Sequence, residues 1–134
     1  MNQFCPCLEY LWLFRCRNLP AVLNLPPSLE TIHICCCSSI QALSCQLDGL
    51  QTLDIMGNSR LTSLESMSAE HPPSLETLSL FDCTTLASLP NEPQTYGSLK
   101  NLTIFGCPAI KILPRCLQQR LDSLDYKWLD ARYE

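Results

Sequence analysis

Leucine, isoleucine and valine recur along the chain with one repeated spacing. If the first such residue of a unit is position 0, further apolar residues follow at +3, +5, +11 and +14. All 25 positions of this frame, five in each of five units, are Leu, Ile or Val. The units start at Leu8, Leu29, Leu50, Leu75 and Leu99. Their spacings of 21, 21, 25 and 24 residues fall within the range of about 20–29 typical of leucine-rich repeats.

The frame predicts one short strand in each repeat, over positions +2 to +6. The predicted strands are residues 10–14, 31–35, 52–56, 77–81 and 101–105. Stacked in parallel, they would form a curved sheet on the concave face of a solenoid. The return segments contain Pro-rich stretches at 25–27, 71–73 and 89–93, and Pro disfavours continuous helix. We therefore predict an α/β leucine-rich-repeat solenoid with extended or 3₁₀ segments on the convex side.

The segment after the fifth repeat carries a different pattern. Leu117, Leu121 and Leu124 are spaced as on one face of a helix, which predicts a short amphipathic helix that covers the last repeat. The chain is then one domain, residues 1–134, with five repeats and a cap at about 115–134. Only seven residues precede the first repeat, so we expect an open apolar end and an origin either in the carboxyl-terminal part of a longer repeat array or in a truncated gene product.

Position +8 is the place where leucine-rich repeats end the strand with Asn or Cys. A polar or weakly polar side chain there can satisfy backbone groups where the chain turns off the sheet. The five residues of this predicted ladder are Cys16, Cys37, Asn58, Cys83 and Cys107. Four of the ten cysteines therefore have a structural interpretation.

Side chains at +2, +4 and +6 point away from the leucine core. The +6 column is apolar and consists of Phe14, Cys35, Met56, Phe81 and Phe105. Further candidates beside this column or at a strand end are Tyr10, Trp12, His33, Asp54 and Asp82. We predict that these ten residues form a protein-binding surface, because aromatic residues and Met anchor protein interfaces. Alternatively, the Phe side chains pack on each other across strands, on the convex loops or on a missing domain.

Composition excludes several functional classes. Hydrophobic residues make up 46% and charged residues 16% of the chain, which suits a packed core and not a disordered segment. The net charge of −4 lacks the basic excess that nucleic-acid binding requires. The amino terminus lacks the features of a signal peptide, and no apolar run reaches the roughly 18 residues needed to cross a bilayer. We therefore expect a cytoplasmic protein that binds neither nucleic acid nor membrane.

Cysteines outside the ladder are candidates for disulfides or for chemistry. These are Cys5, Cys7, Cys35, Cys36, Cys45 and Cys116. Without a secretory signal we expect free thiols, although the sequence leaves their redox state open. His33 and Cys35 would share one strand face, but a nucleophilic pair also needs an oxyanion site, for which the sequence has no candidate. Paired CxxC knuckles for zinc are absent too, so we expect no catalytic residue, metal or cofactor.

Two segments carry a family resemblance. Residues 74–83 (SLETLSLFDC) and 99–108 (LKNLTIFGCP) resemble the irregular repeats of plant intracellular nucleotide-binding, leucine-rich-repeat (NLR) disease-resistance proteins. The stretch 113–121 (LPRCLQQRL) resembles the carboxyl terminus of such receptors from cereals. The Gly-x-Ile-Pro signature of secreted plant repeats is absent, and so is the P-loop of the family's nucleotide-binding domain.

This resemblance implies a non-enzymatic module of an immune receptor. Such a region senses pathogen effectors, or their effects on host proteins, and restrains an upstream nucleotide-binding domain. Two other functions stay open: a generic adaptor, such as the repeat portion of a ubiquitin-ligase substrate receptor, and a secreted leucine-rich-repeat inhibitor. The sequon at Asn101 would fit the inhibitor, but it lies on a predicted strand.

Overall fold

A computed structural model describes residues 7–46, 48–64, 67–68, 73–92 and 94–133. Within these ranges, only the backbone is described for Cys45, Met67 and Ser68. In chain order, the strands are β1 (Tyr10–Phe14), β2 (Val22–Asn24), β3 (Thr31–Cys35), β4 (Ala42–Gln46), β5 (Thr52–Met56), β6 (Met67–Ser68), β7 (Thr77–Phe81), β8 (Asn101–Phe105) and β9 (Tyr126–Leu129). All five strands predicted from the leucine frame are present with the predicted bounds. They belong to a six-stranded parallel sheet in the order β1-β3-β5-β7-β8-β9.

The strands pair at equal offsets of successive repeats, as where Leu53 of β5 pairs with Leu78 of β7. This register places the apolar +3 and +5 residues of every repeat on the same side of the sheet. The chain therefore forms a β-solenoid of the leucine-rich-repeat type, as the frame predicts.

The return side of the solenoid carries a second, narrower sheet. Strands β2, β4 and β6 pair in parallel in that order. Isolated bridges from Ala42 to Ser63 and from Ser63 to Ser88 extend this line of contacts into the fourth repeat. The extended conformation predicted for this side is therefore confirmed. His71, Pro72 and Pro93 of the Pro-rich stretches lie outside the described residues.

The leucine framework lies between the two sheets and forms one core. In repeats two to five, every framework side chain is buried. In the first repeat, Leu8, Leu11, Leu13 and Leu19 are only partly buried, because no described strand pairs with the outer edge of β1. Tyr96 is also buried, and its hydroxyl donates to the Pro90 carbonyl at 2.7 Å, so it is a core residue that the frame does not predict.

Val22 corrects the frame at one position. It was predicted to lie in the core, yet it is 50% exposed. In β2 the buried residue is Leu23, which pairs with Leu43 of β4. The first return segment is thus one residue longer than the frame requires, and the alternation of side chains along a strand turns Val22 outward.

The cap differs from the predicted helix. Helix α1 covers only Arg115–Gln118, and a 3₁₀ helix follows at Leu121–Ser123. Leu117 is buried, whereas Leu121 and Leu124 are partly buried. The chain then forms β9, and a second 3₁₀ helix covers Ala131–Tyr133.

Strand β9 belongs to a partial sixth repeat. Leu124 and Leu129 occupy positions 0 and +5 of the same frame, and Leu129 pairs with Ile104 of β8. The single amphipathic helix predicted through Leu117, Leu121 and Leu124 is therefore wrong, because α1 ends at Gln118 and a separate 3₁₀ helix holds Leu121 before the chain enters β9.

Candidate functional site

The outer face of the six-stranded sheet presents the side chains at +2, +4 and +6. The six strands are in register, so each position forms a column of residues that runs across the sheet. β9 adds Tyr126 and Trp128 to two of these columns, so aromatic side chains stand at both ends of the face. The two ends differ in how far their rings are covered.

Strand β1 carries three large aromatic side chains that are open to solvent. Tyr10, Trp12 and Phe14 are 53%, 66% and 56% exposed. We call these three residues the amino-terminal aromatic patch. The Arg15 guanidinium lies 5.2 Å from the centre of the Phe14 ring and covers part of it. Three such rings on one strand give a solvated apolar area of the kind that protein partners cover.

His33 joins this patch to the middle of the sheet. Its ring centre lies 5.6 Å from that of Tyr10 and 5.8 Å from that of Trp12. Its Nδ1 lies 3.1 Å from Asp54 Oδ2 on the next strand. His33 and Cys35 therefore do not form a pair. The Cys35 Sγ contacts Cys36 Sγ at 3.4 Å, and the His33 imidazole pairs with the Asp54 carboxylate.

The other end of the face carries an aromatic cluster whose rings contact one another, although Trp128 remains 46% exposed. The rings of Phe81 and Phe105 stack with their centres 5.7 Å apart and their planes 18° from parallel. Trp128 contacts both, at 5.0 Å from Phe105 and 6.0 Å from Phe81. We call these three residues the carboxyl-terminal aromatic cluster. For Phe81 and Phe105, the contacts agree with packing across strands, and Met56 beside them is exposed.

Asp82 lies beyond the end of β7 and not on the outer face. Its backbone N–H donates to the Phe105 carbonyl at 2.9 Å. A Cβ atom built on Gly106 would collide with the Asp82 carboxylate, which therefore occupies the space that this glycine leaves. Asp82 is thus part of the strand-end turn, and its role in binding stays a prediction.

In each of the five repeats, the residue at position +7, directly after the strand of the six-stranded sheet, has a left-handed backbone conformation. These residues are Arg15, Cys36, Gly57, Asp82 and Gly106, with φ between 54° and 72°. In the first four repeats the N–H donates to the +6 carbonyl of the next repeat, as from Arg15 to Cys35 at 2.9 Å. In the fifth repeat the Asp130 carboxylate accepts instead, 3.0 Å from the Gly106 nitrogen. This feature could not be predicted from a glycine signal, because non-Gly residues occupy three of the five positions.

Asn58 is the most fully bonded member of the predicted ladder. Its Nδ2 donates to the carbonyls of Cys37 at 2.9 Å and Ile40 at 3.4 Å. Its Oδ1 accepts from the backbone nitrogens of Arg60 at 2.7 Å and Leu61 at 2.6 Å. The buried amide therefore connects two successive repeats, as a ladder residue should.

The ladder cysteines make longer contacts. Cys83 donates to the Ile55 carbonyl at 3.5 Å, and Cys107 donates to the Leu80 carbonyl at 3.6 Å. A hydrogen bond with Cys107, together with burial, raises the pKa of Cys83. Cys37, Cys83 and Cys107 are buried, and Cys16 in the first repeat is partly buried.

Tyr133 takes the ladder position at the end of the stack. Its hydroxyl faces the carbonyls of Cys107, at 3.4 Å, and Ile110. These are positions +8 and +11 of the fifth repeat, the same two positions whose carbonyls the Asn58 amide reaches in the second. The phenol thus substitutes for a ladder side chain of a following repeat.

The eight cysteines whose side chains are described are free thiols. Cys5 and the Cys45 side chain lie outside the described residues. Among the described residues, no group of three or more His, Cys, Asp or Glu side chains is arranged to hold a metal ion. Within the same part of the chain, each helix is too short to cross a bilayer.

Glutamates just before the strands form an acidic edge beside the outer face. A hydrogen bond that the protonated Glu30 carboxyl donates to Glu9, and the like charge of that neighbour, raise the pKa of Glu30. Further along, Lys100 Nζ lies 3.9 Å from Glu76 Oε1. At the Glu9 and Glu30 end of this edge two carboxyl groups are neighbours, whereas Lys100 lies beside Glu76 further along.

Comparison with family models, curated proteins and solved structures finds no match to this chain. The fold is therefore known from the structure, whereas any function has to be argued from the outer face and from the resemblance of the repeats.

Proposed function

We propose that this chain is a protein-interaction module of a plant intracellular immune receptor of the NLR type. Its ligand is a pathogen effector or a guarded host protein, and its site of action is the cytoplasm. The observation that carries the proposal is the amino-terminal aromatic patch, where three large aromatic side chains of one strand, Tyr10, Trp12 and Phe14, each remain at least half exposed.

The patch has the composition of an interface anchor. Tyr and Trp are enriched among residues whose truncation costs about 2 kcal/mol or more of binding free energy. Buried aromatic side chains each remove about 150–250 Å² from water, and these three rings still expose more than half of their surface. His33, paired with Asp54, adds a polar partner for hydrogen bonds beside the rings.

From the second repeat onward the face stands on strands paired in register above a buried core. The patch itself stands on the edge strand β1, which is held by its in-register pairing with β3. A preorganised surface loses little conformational entropy when it binds. Contacts of the same module with an upstream nucleotide-binding domain would supply the autoinhibition that the family resemblance implies.

The test compares one double variant and one single control variant with the wild-type chain in quantitative affinity capture from cereal leaf extract, followed by calorimetry with each purified partner. Trp12→Ser/Phe14→Ser removes two anchors. Ile112→Ser is the matched control, because Ile112 is 76% exposed and lies outside the outer face. We expect partners that bind the wild type and the control but bind the double variant at least about 30-fold more weakly, as the loss of about 2 kcal/mol predicts.

Equal binding by a folded double variant would reject the patch as the site. Sequencing of the transcript upstream of the Met1 codon tests the receptor class separately: a P-loop domain supports the proposal, and an F-box favours the ubiquitin-ligase adaptor. The secreted inhibitor has less support. Asn101, the sequon residue, stands on β8, and its Nδ2 donates to Thr77 Oγ1 at 3.1 Å.

A further inference from the structure

Cys35 and Cys36 bring two thiols into contact at the end of β3. Their Sγ atoms lie 3.4 Å apart. Cys35 is the last residue of the strand and is partly buried on the outer face, between Phe14 and Met56 of the neighbouring strands. Cys36 is exposed and has a left-handed backbone with φ of 60°.

The turn holds the two thiols in this arrangement. The Cys36 N–H donates to the Met56 carbonyl at 2.8 Å, which fixes the backbone of the turn. Gly57 of the next repeat leaves space for the side chain, since a Cβ there would lie 3.1 Å from Cys36 Sγ. Cys37 is not part of this pair, because it is fully buried in the ladder.

We propose that Cys35 and Cys36 form a reversible dithiol/disulfide site that a low-molecular-weight disulfide of the glutathione type oxidises. The proposal rests on the contact of the two thiols and on their accessibility, and it does not depend on the proposed function.

The order of the steps follows from exposure. The Cys36 thiol loses its proton and its sulfur attacks the glutathione disulfide, whose S–S bond breaks and releases one glutathione thiolate. The Cys35 thiol then loses its proton and attacks Cys36 Sγ, which expels the second glutathione. Both leaving thiolates take up the two protons, so two protein thiols are oxidised and one disulfide is reduced to two thiols. Burial, followed by the neighbouring Cys36 thiol, raises the pKa of Cys35, which makes it the second nucleophile.

The product disulfide is expected to be easy to reduce. Neighbouring Cα atoms across a trans peptide lie about 3.8 Å apart, whereas the Cα atoms of most disulfides are about 4.4–6.8 Å apart. Strained and exposed disulfides are the labile ones. The site therefore has the properties of a reversible modification at the strand-end edge of the outer face, beside Phe14 of the amino-terminal aromatic patch.

The test equilibrates the purified, folded chain in glutathione buffers of increasing disulfide fraction, blocks free thiols with N-ethylmaleimide and maps the peptides by tandem mass spectrometry. As the disulfide fraction rises, we expect Cys35 and Cys36 to lose their N-ethylmaleimide adducts together. The peptide should then have the mass of the unmodified dithiol minus two hydrogens, and reduction with dithiothreitol should make both thiols reactive again. Cys35→Ser should instead retain one glutathione on Cys36. Cys7→Ser is the control for an exposed thiol elsewhere and should behave as the wild type.

Three results would overturn the proposal. One is a wild-type chain in which both thiols stay alkylated even in buffer rich in glutathione disulfide. Another is a mixed disulfide on Cys36 that never closes onto Cys35. The third is a disulfide that maps to Cys37 or to another cysteine.

Discussion

Asn58 shows what a single ladder residue contributes. Its amide makes four hydrogen bonds with backbone groups of two repeats, whereas each thiol of the ladder offers one weak donor. Removal of the amide would leave buried donors and acceptors without partners, and each such group costs about 1–3 kcal/mol.

Asn58→Ala should therefore lower the free energy of unfolding by about 3 kcal/mol, since several backbone groups lose partners at once. Cys107→Ala is the matched change at the same offset of another repeat and should cost only about 1 kcal/mol, because a small buried group is lost. Urea denaturation of both variants measures the difference. Equal losses would show that the thiols satisfy the backbone as well as the amide does.

At the scale of the elements, the strands of the five repeats could be predicted with their bounds, because five copies of the pattern supported one another. The return segments were harder: Val22 and Leu23 are both apolar, and only the pairing of β2 with β4 decides which one is buried. The sixth strand was missed because Lys127 stands where the frame has an apolar +3 residue.

The same strand limited the prediction of the site. The columns of the outer face were predicted correctly as columns, but the sequence did not distinguish its open end from its packed end. That distinction depends on Trp128, which covers Phe81 and Phe105 only because β9 joins the sheet.

Trp128→Ser should therefore destabilise the fold by about 2 kcal/mol, since two aromatic contacts are lost in addition to buried area. Trp12→Ser, on the open end, should cost less than about 1 kcal/mol, as is usual for exposed positions. Thermal and urea unfolding of the two variants, with the wild type alongside, makes the comparison. A larger loss of unfolding free energy for Trp12→Ser than for Trp128→Ser would contradict the assignment of the carboxyl-terminal end as the better packed end of the face.

For the whole molecule, stability comes from the stacking of neighbouring repeats. Repeats two to five each bury their whole framework, whereas the leucines of the first repeat are only partly buried. In a solenoid the cost of opening a repeat depends on its own packing and on the interfaces with its neighbours. The first repeat should therefore open more often than the middle ones.

Hydrogen exchange can test this gradient. The Thr31 N–H, bonded to the Glu9 carbonyl at 3.1 Å, should exchange at least about tenfold faster than the Thr77 N–H, bonded to Gln51 at 3.0 Å. The two amides occupy the same offset of their repeats, so intrinsic geometry is matched. Equal protection of both amides would mean that the solenoid opens only as one unit.

Tyr133 and Asp130 determine where a further repeat could be added to the solenoid. The phenol and the carboxylate already occupy the hydrogen-bonding positions that a further repeat would need on the fifth one. An engineered copy of a repeat placed after residue 133 would therefore have to stack on β9 and this incomplete repeat, and not on the complete surface of the fifth repeat. A copy inserted upstream of residue 99 would meet only ordinary repeat surfaces on each side, so residues 99–133 are best kept as one fixed cassette when the length of this protein is changed.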